Sequence, residues 1–263
     1  MGAAFDEALD AGLGELGLLE SIAGSTLARR SYEAHARLLR AWGTAINLTA
    51  IRDAADVARR HVCDSVSAAP HLAEQARRAA TLLDVGSGAG YPGMPLAAAL
   101  ALERVALVDS VGKKARFVDV AARAVSAVLA DGMATPPIIE SISERAEDLA
   151  AEPDHRGAWQ IVTARAVGSL AEIVELAMPL TREGGAVVAW KREQERHGLR
   201  DELRDAGPII RATGGGRPEI VAIETASLVG HRLVIIPKER PTPADYPRPP
   251  ARRSPAKRSR KDR

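Results

Sequence analysis

Residues 81–96 read Thr-Leu-Leu-Asp-Val-Gly-Ser-Gly-Ala-Gly-Tyr-Pro-Gly-Met-Pro-Leu. A short apolar run breaks into glycines at 86, 88, 90 and 93, and an apolar pattern then resumes through Met94, Leu96, Leu100 and Leu102. A strand, a turn too tight for Cβ atoms and a helix in direct succession are the repeating unit of an α/β domain. Comparable apolar runs at 104–109, 138–142, 159–163, 185–190, 220–225 and 231–237 bring the expected strands to seven. Helical stretches separate the first five, which implies parallel βαβ units. Only a few residues through Gly230 join the last two, which predicts an antiparallel hairpin.

The residues before the first strand read as helices. Leu9, Leu13, Leu16, Leu18, Leu19 and Ile22 recur at helical spacing, and a second helix runs from Ser25 through Ala28, Tyr32, Leu38, Leu39 and Trp42 to Gly43. Residues 46–51 form a connector, and 55–79 continue as helix broken near Pro70. The expected organisation is a helical segment 1–80, an α/β domain 81–240 and a tail 241–263. That tail carries eight Lys/Arg against Asp245 and Asp262, six prolines and no aliphatic residue larger than alanine. It cannot bury a core and is expected to be disordered. Its six surplus cations turn the net +2 of the chain into −4 for the other 240 residues. They suit a solubilising tail or a polyanion-binding arm equally.

Several classes are disfavoured. No apolar run reaches the roughly 18 residues of a membrane span. The first twenty residues hold Asp6, Glu7, Asp10, Glu15 and Glu20 where a signal peptide needs a basic start. A cytoplasmic monomer without membrane contact is the expectation. Cys63 is the single cysteine, and with no CxxC pair or clustered histidines no metal is expected.

Glycines 86, 88, 90 and 93 allow a ligand to lie against bare amides at a helix N-terminus. Strand 2 ends in Asp109, about twenty residues on, where an acid can accept both hydroxyls of a ribose. The pair indicates an adenosine-containing cofactor. The spacing is G-x-G-x-G rather than the dinucleotide G-x-G-x-x-G, and Asp84 stands just before it. A carboxylate there opposes a pyrophosphate and suits the ammonium of a methionine moiety, which favours S-adenosylmethionine; the plainer role for Asp84 is a turn cap. Ser87 and Ser110 flank these positions. Arg145-Ala146-Glu147-Asp148, after strand 3, is placed to read the adenine. The segment after strand 4 lacks the Asn/Asp-Pro-Pro-aromatic tetrapeptide of exocyclic-amine methylation, and Cys63 is misplaced for attack on cytosine.

These strings resemble the bacterial small-subunit ribosomal RNA guanine-N7 methyltransferases, also called glucose-inhibited division protein B. The matching segments are Asn47-Leu48-Thr49-Ala50-Ile51, Arg60-His61-Val62-Cys63-Asp64-Ser65, Asp84 to Leu96, Val108-Asp109-Ser110, Lys113-Lys114-Ala115-Arg116-Phe117, Arg145-Ala146-Glu147, Ala164-Arg165-Ala166 and Lys191. The resemblance implies a Rossmann-like class I methyltransferase fold and methyl transfer from S-adenosylmethionine to N7 of one guanine in 16S ribosomal RNA, within the small subunit or its precursor. It implies cofactor contacts from Gly86, Tyr91, Ala146, Glu147 and Arg165, beside Asp84, Ser87, Gly88, Gly90, Gly93, Asp109 and Ser110. Lys113, Lys114, Arg116 and Lys191 are expected to hold RNA, with Lys113, Arg165 and Lys191 positioning the base. Guanine N7 loses no proton on methylation, so alignment rather than a general base is required. Lys191-Arg192 replaces the family's frequent Lys-Gly, 131–158 is longer than in compact members, and the tail has no counterpart. Another substrate on the same fold, or an assembly factor without turnover, are the competing readings. His61 and Asp64, three apart on a helix, share a face and form a candidate pair, while Trp42, Trp159 and Trp190 read as core.

Overall fold

The apolar run that leads into the glycine loop forms the middle of the sheet. In the computed structural model, which describes residues 1–77, 80–193 and 198–250, the strands are β1 (Ala80–Val85), β2 (Leu102–Val108), β3 (Ile138–Ile142), β4 (Trp159–Arg165), β5 (Thr181–Arg192), β6 (Glu219–Ala222) and β7 (His231–Pro237). They form one sheet in the order β3-β2-β1-β4-β5-β7-β6. β1 to β5 are parallel, and β7 lies antiparallel between β5 and β6. The order reverses between β1 and β4, and a crevice at the carboxyl ends of the strands follows from that switch. The seven-stranded, mostly parallel architecture with its terminal hairpin agrees with the sequence. The hairpin's first strand, however, ends at Ala222, so residues 223–230 connect the two rather than a tight turn.

The helices are α1 (Ala3–Glu15), α2 (Thr26–Trp42), α3 (Ala54–Val57), α4 (Asp64–Val66), α5 (Ala69–Leu72), α6 (Gly93–Ala99), α7 (Gly112–Ala130), α8 (Ala146–Leu149), α9 (Leu170–Ala177) and α10 (Leu199–Ala212). A π-helical turn, Ala58–Cys63, joins α3 to α4. Alternation along the strands sends Leu82, Leu107 and Ile161 to one face, against Phe5, Leu9, Tyr32, Leu96 and Phe117. Leu83, Ala106 and Val162 go to the other, against Ile173, Val174, Met178 and Ile210. The N-terminal helices therefore share the core of the sheet. Burial of each such Leu, Ile or Phe contributes about 1.5–3 kcal/mol.

Ser25 caps α2 by accepting the Ala28 N–H at 3.2 Å, and Gly43 ends it. The apolar period after Leu13 misleads: α1 stops at Glu15. Gly17, at φ 68°, turns the chain so that the N–H of Leu18 reaches the Leu13 carbonyl at 2.8 Å. Leu19 and Ile22 consequently lie exposed. Among the described residues no helix is long and apolar enough to cross a membrane.

The expectation of disorder from residue 241 is corrected for 241–250. Buried Lys238 donates Nζ to the carbonyls of Met178 and Thr213 at 2.8 Å each, the C-caps of α9 and α10. A cation thus sits where both helix dipoles end. Arg156 donates to the carbonyls of Thr242, Pro243 and Tyr246. These partners lie far away in sequence, which is why composition alone misses them. Residues 251–263, the basic remainder of the expected tail, lie outside the described residues.

Candidate cofactor and base cavities

The loop after β1 is held from both ends. Asp109 Oδ2 accepts the N–H of Gly88 at 3.0 Å, and its Oδ1 accepts that of Val111 at 2.8 Å. Asp84 Oδ2 accepts the N–H of Gly93 at 2.9 Å, while its Oδ1 takes the Thr163 hydroxyl at 2.8 Å. The expectation that Asp84 faces a ligand is therefore corrected. Its carboxyl is fully buried, and burial raises its pKa to about 7. Gly86, at φ 69°, also has no room for a side chain, since a Cβ would stand 2.7 Å from Val167 Cγ2.

A cavity of about 470 Å³ opens over this loop. Gly86, Asp109, Ser110 and Lys114 form one side, and Arg145, Ala146 and Glu147 another. Val167, just before α9, and Glu172 and Leu176 on that helix also line it, as does Pro250. Lys114 Nζ stands 3.8 Å from Asp109 Oδ2. The size suits a nucleoside-sized ligand. An acid at the end of β2, bare backbone at Gly86 and the buried, unpartnered hydroxyl of Ser87 fit S-adenosylmethionine chemically.

A second cavity, of about 460 Å³, adjoins the first and shares Ala166 with it. Arg60, His61, Asp64, Arg165, Lys191, Arg192, Glu202 and His231 line it. Ala166 adopts φ 59°, a left-handed conformation that costs a non-glycine residue about 1–2 kcal/mol. That turn lets Arg165 enter one cavity and Val167 the other.

Asp64 ties the strand ends together. It accepts Arg165 Nη1 at 2.8 Å on one oxygen and His231 Nδ1 at 2.9 Å on the other, and its carbonyl takes the Trp190 indole N–H at 2.8 Å. The π-helical turn aims His61 at the same guanidinium, its Nδ1 3.3 Å from Arg165 Nη2. With Nδ1 accepting, the other ring nitrogen donates to Thr49 Oγ1 at 2.8 Å. The rings of His35 and His61 sandwich Tyr91 at centroid distances of 4.4 and 4.6 Å. His35 Nε2 donates to the Ala89 carbonyl at 2.7 Å, so the stack anchors the glycine loop to α2. Burial lowers the pKa of His35 to about 4 and that of His61 to about 3, aided at His61 by the Arg165 charge. Both rings are neutral at neutral pH.

The expected site residues separate accordingly. Gly86, Asp109, Ser110, Ala146, Glu147 and Lys114 line the first cavity, and Arg165 and Lys191 the second. Arg165 is therefore brought into the second cavity rather than the first, because Asp64 holds it there. Ser87, Gly88, Gly90 and Gly93 shape the loop beneath, and Tyr91 is buried between histidines rather than open to a ligand. Lys191 is held 2.5 Å from Glu202. Lys113 and Arg116 are exposed on α7 and line neither cavity. Sequence reasoning missed His35, Val167, Glu202 and His231. Thr49 lay within a matched string, and its role could have been sought there.

The chain matches the family described as GidB, rRNA small subunit methyltransferase G, over residues 29–206. It is 39% identical over 236 residues to Ribosomal RNA small subunit methyltransferase G of Roseiflexus sp. (strain RS-1), covering 88% of this chain and 94% of that protein. The protein of the same name from Geobacillus kaustophilus is 37% identical, with 86% and 89% covered. Among solved structures, Aeropyrum pernix fibrillarin in complex with S-adenosyl-L-methionine aligns at TM-score 0.48 with 13% identity, covering 64% of this chain and 73% of that one.

Proposed function

Because the chain belongs to the rRNA small subunit methyltransferase G family, we propose that it methylates N7 of one guanine of 16S ribosomal RNA, with the cofactor in the first cavity and the guanine in the second. The observation that carries this assignment is the junction at Ala166, where an acid-and-amide cavity meets a cation-lined one. When bound, S-adenosylmethionine supplies an electrophilic methyl group. Asp109 holds the ribose, the backbone between Ser110 and Val111 and around Ala146 borders the adenine, and Gly86 leaves room at the junction. Glu147 offers an acceptor beside it.

Guanine N7 presents a free in-plane lone pair, so the protein needs to align it and exclude water rather than remove a proton. Burial and the Arg165 charge keep the His61 ring uncharged beside that junction. Arg60, Arg165, Lys191 and Arg192 supply positive charge for the RNA backbone, and Lys113, Lys114 and Arg116 extend it along α7. The small subunit or its precursor, met in the cytoplasm by a monomeric enzyme, is the natural substrate.

The test incubates the protein with labelled S-adenosylmethionine and either naked 16S RNA or 30S particles, then maps the methyl group. One N7-methylated guanine is expected, with single-turnover rates nearly flat from about pH 6.5 to 9, where N7 is already unprotonated. Methyl transfer to an exocyclic amine or to carbon, or a rate rising tenfold per pH unit, overturns the assignment.

A further inference from the structure

The chain does not leave the domain after β7. From Lys238 it runs beside α9, from the helix's C-terminal end at Met178 past Glu175 to the first cavity. Thr242 bonds the carbonyls of Met178 and Thr213 at 3.1 and 2.7 Å, and Tyr246 packs against the core of that face. Arg248 then closes on Glu175, which is buried within α9. The carboxylate takes the backbone N–H of Arg248 at 2.9 Å, its Nε at 2.7 Å and its Nη2 at 2.6 Å. Two residues later Pro250 lines the first cavity, together with Glu172 and Leu176 of the same helix. The matched family region ends at residue 206, so this strap lies beyond it.

A buried carboxylate that meets three donors from one residue is a point of fixed register. It determines where Pro250 stands. Glu175 also lies within one helical turn of Glu172 and Leu176, so the clasp ties the strap to the helix that shares this lining. We propose that residues 239–250 are part of the cofactor site: the Arg248–Glu175 clasp positions Pro250 as a wall of the first cavity, and the strap slows cofactor exchange. This rests on the reading of that cavity as the S-adenosylmethionine site. The effect belongs in the dissociation rate, since such a wall restrains a bound ligand more than it forms new polar contacts.

The test measures binding of S-adenosylhomocysteine by calorimetry, and its dissociation by stopped-flow displacement. The proteins are the full chain, a truncation lacking 251–263, a truncation lacking 247–263, and Pro250→Gly in the full chain. The first two should bind alike, whereas loss of 247–263 should weaken affinity about three- to tenfold through faster dissociation, and Pro250→Gly should shift it in the same direction. Truncation at 247 strips a buried carboxylate of its partner. If that protein does not fold, Pro250→Gly and the paired Glu175→Gln/Arg248→Gln chain decide the matter, both expected to release ligand faster. Dissociation within twofold of the full chain in every folded strap variant overturns the proposal. A full chain that binds no S-adenosylhomocysteine instead overturns the cavity assignment itself.

Discussion

Asp84 holds the backbone N–H of Gly93 at 2.9 Å, across the whole span of the glycine loop. The carboxyl keeps that bond whether or not it is ionised, but burial makes ionisation costly. Its pKa is about 7 in the folded protein against an ordinary 3.8. Between those values the folded chain holds a proton that the unfolded chain releases. The stabilisation is thus fully present below pH 4 and lost as pH rises through about 7. Asp84→Asn, which resembles the protonated form, should gain on the wild type as pH rises from 5 to about 7 and then level off. Urea unfolding at stepped pH measures the gap; a constant gap refutes the assignment.

The histidine stack has the opposite sign. His35 and His61 have pKa values of about 4 and 3 when folded, below the ordinary 6.5. Their contribution is present above pH 6.5 and lost as pH falls towards those values, at up to about 1.4 kcal/mol per pH unit for each ring. His35→Phe keeps a ring against Tyr91 and removes one titrating group. Asp84 works in the opposite sense over the same range, so denaturant midpoints that fall between pH 6 and 4.5 in the wild type should be nearly level in that variant. An unchanged slope would show that the stack is not what titrates.

Much of this was legible locally. The glycine loop declares itself because strand, turn and helix are contiguous, and Asp109 because its spacing from the loop is set by one βα unit. Asp84 was misread because adjacency in the chain does not say which way a carboxylate points; Thr163 and Gly93 decide that, and neither is its sequence neighbour. His35 and His231 look like isolated histidines until folding brings them to Tyr91 and Asp64. The strap was hidden for a similar reason. Six prolines among arginines read as unstructured chain, and Glu175 and Arg156, which order its first part, are elements of a different layer.

Arg165 divides the two cavities experimentally. Arg165→Lys keeps the charge but loses the fork that spans Asp64 and His61. We expect kcat/KM for RNA to drop at least about tenfold, while affinity for S-adenosylhomocysteine stays within about twofold. Parallel losses in both would return Arg165 to the cofactor side.

The segment 251–263 contains seven Lys/Arg and one acid. As an RNA-binding arm it adds affinity without choosing the target, since each phosphate engaged on a single strand adds about 0.7 to the salt slope. A chain lacking 251–263 should show a shallower slope of RNA binding against log salt and methylate the same nucleotide. Identical slopes would leave the segment a solubilising tail.

Cys63, the lone cysteine, lies wedged beneath the first helix. A Cβ on Gly12 would stand 2.5 Å from its sulfur, and burial pushes the thiol up to about 12. A reagent in solution can reach that sulfur only after α1 has lifted from the π-helical turn. The protein therefore carries its own clock for the detachment of its N-terminal layer. Under fast reclosing, the rate of thiol labelling divided by that of a free cysteine peptide gives the equilibrium constant for that local opening. No residue has to be introduced to read it, and the same measurement made with ligand bound reports whether filling the cavity tightens a helix on the far side of the sheet's first layer.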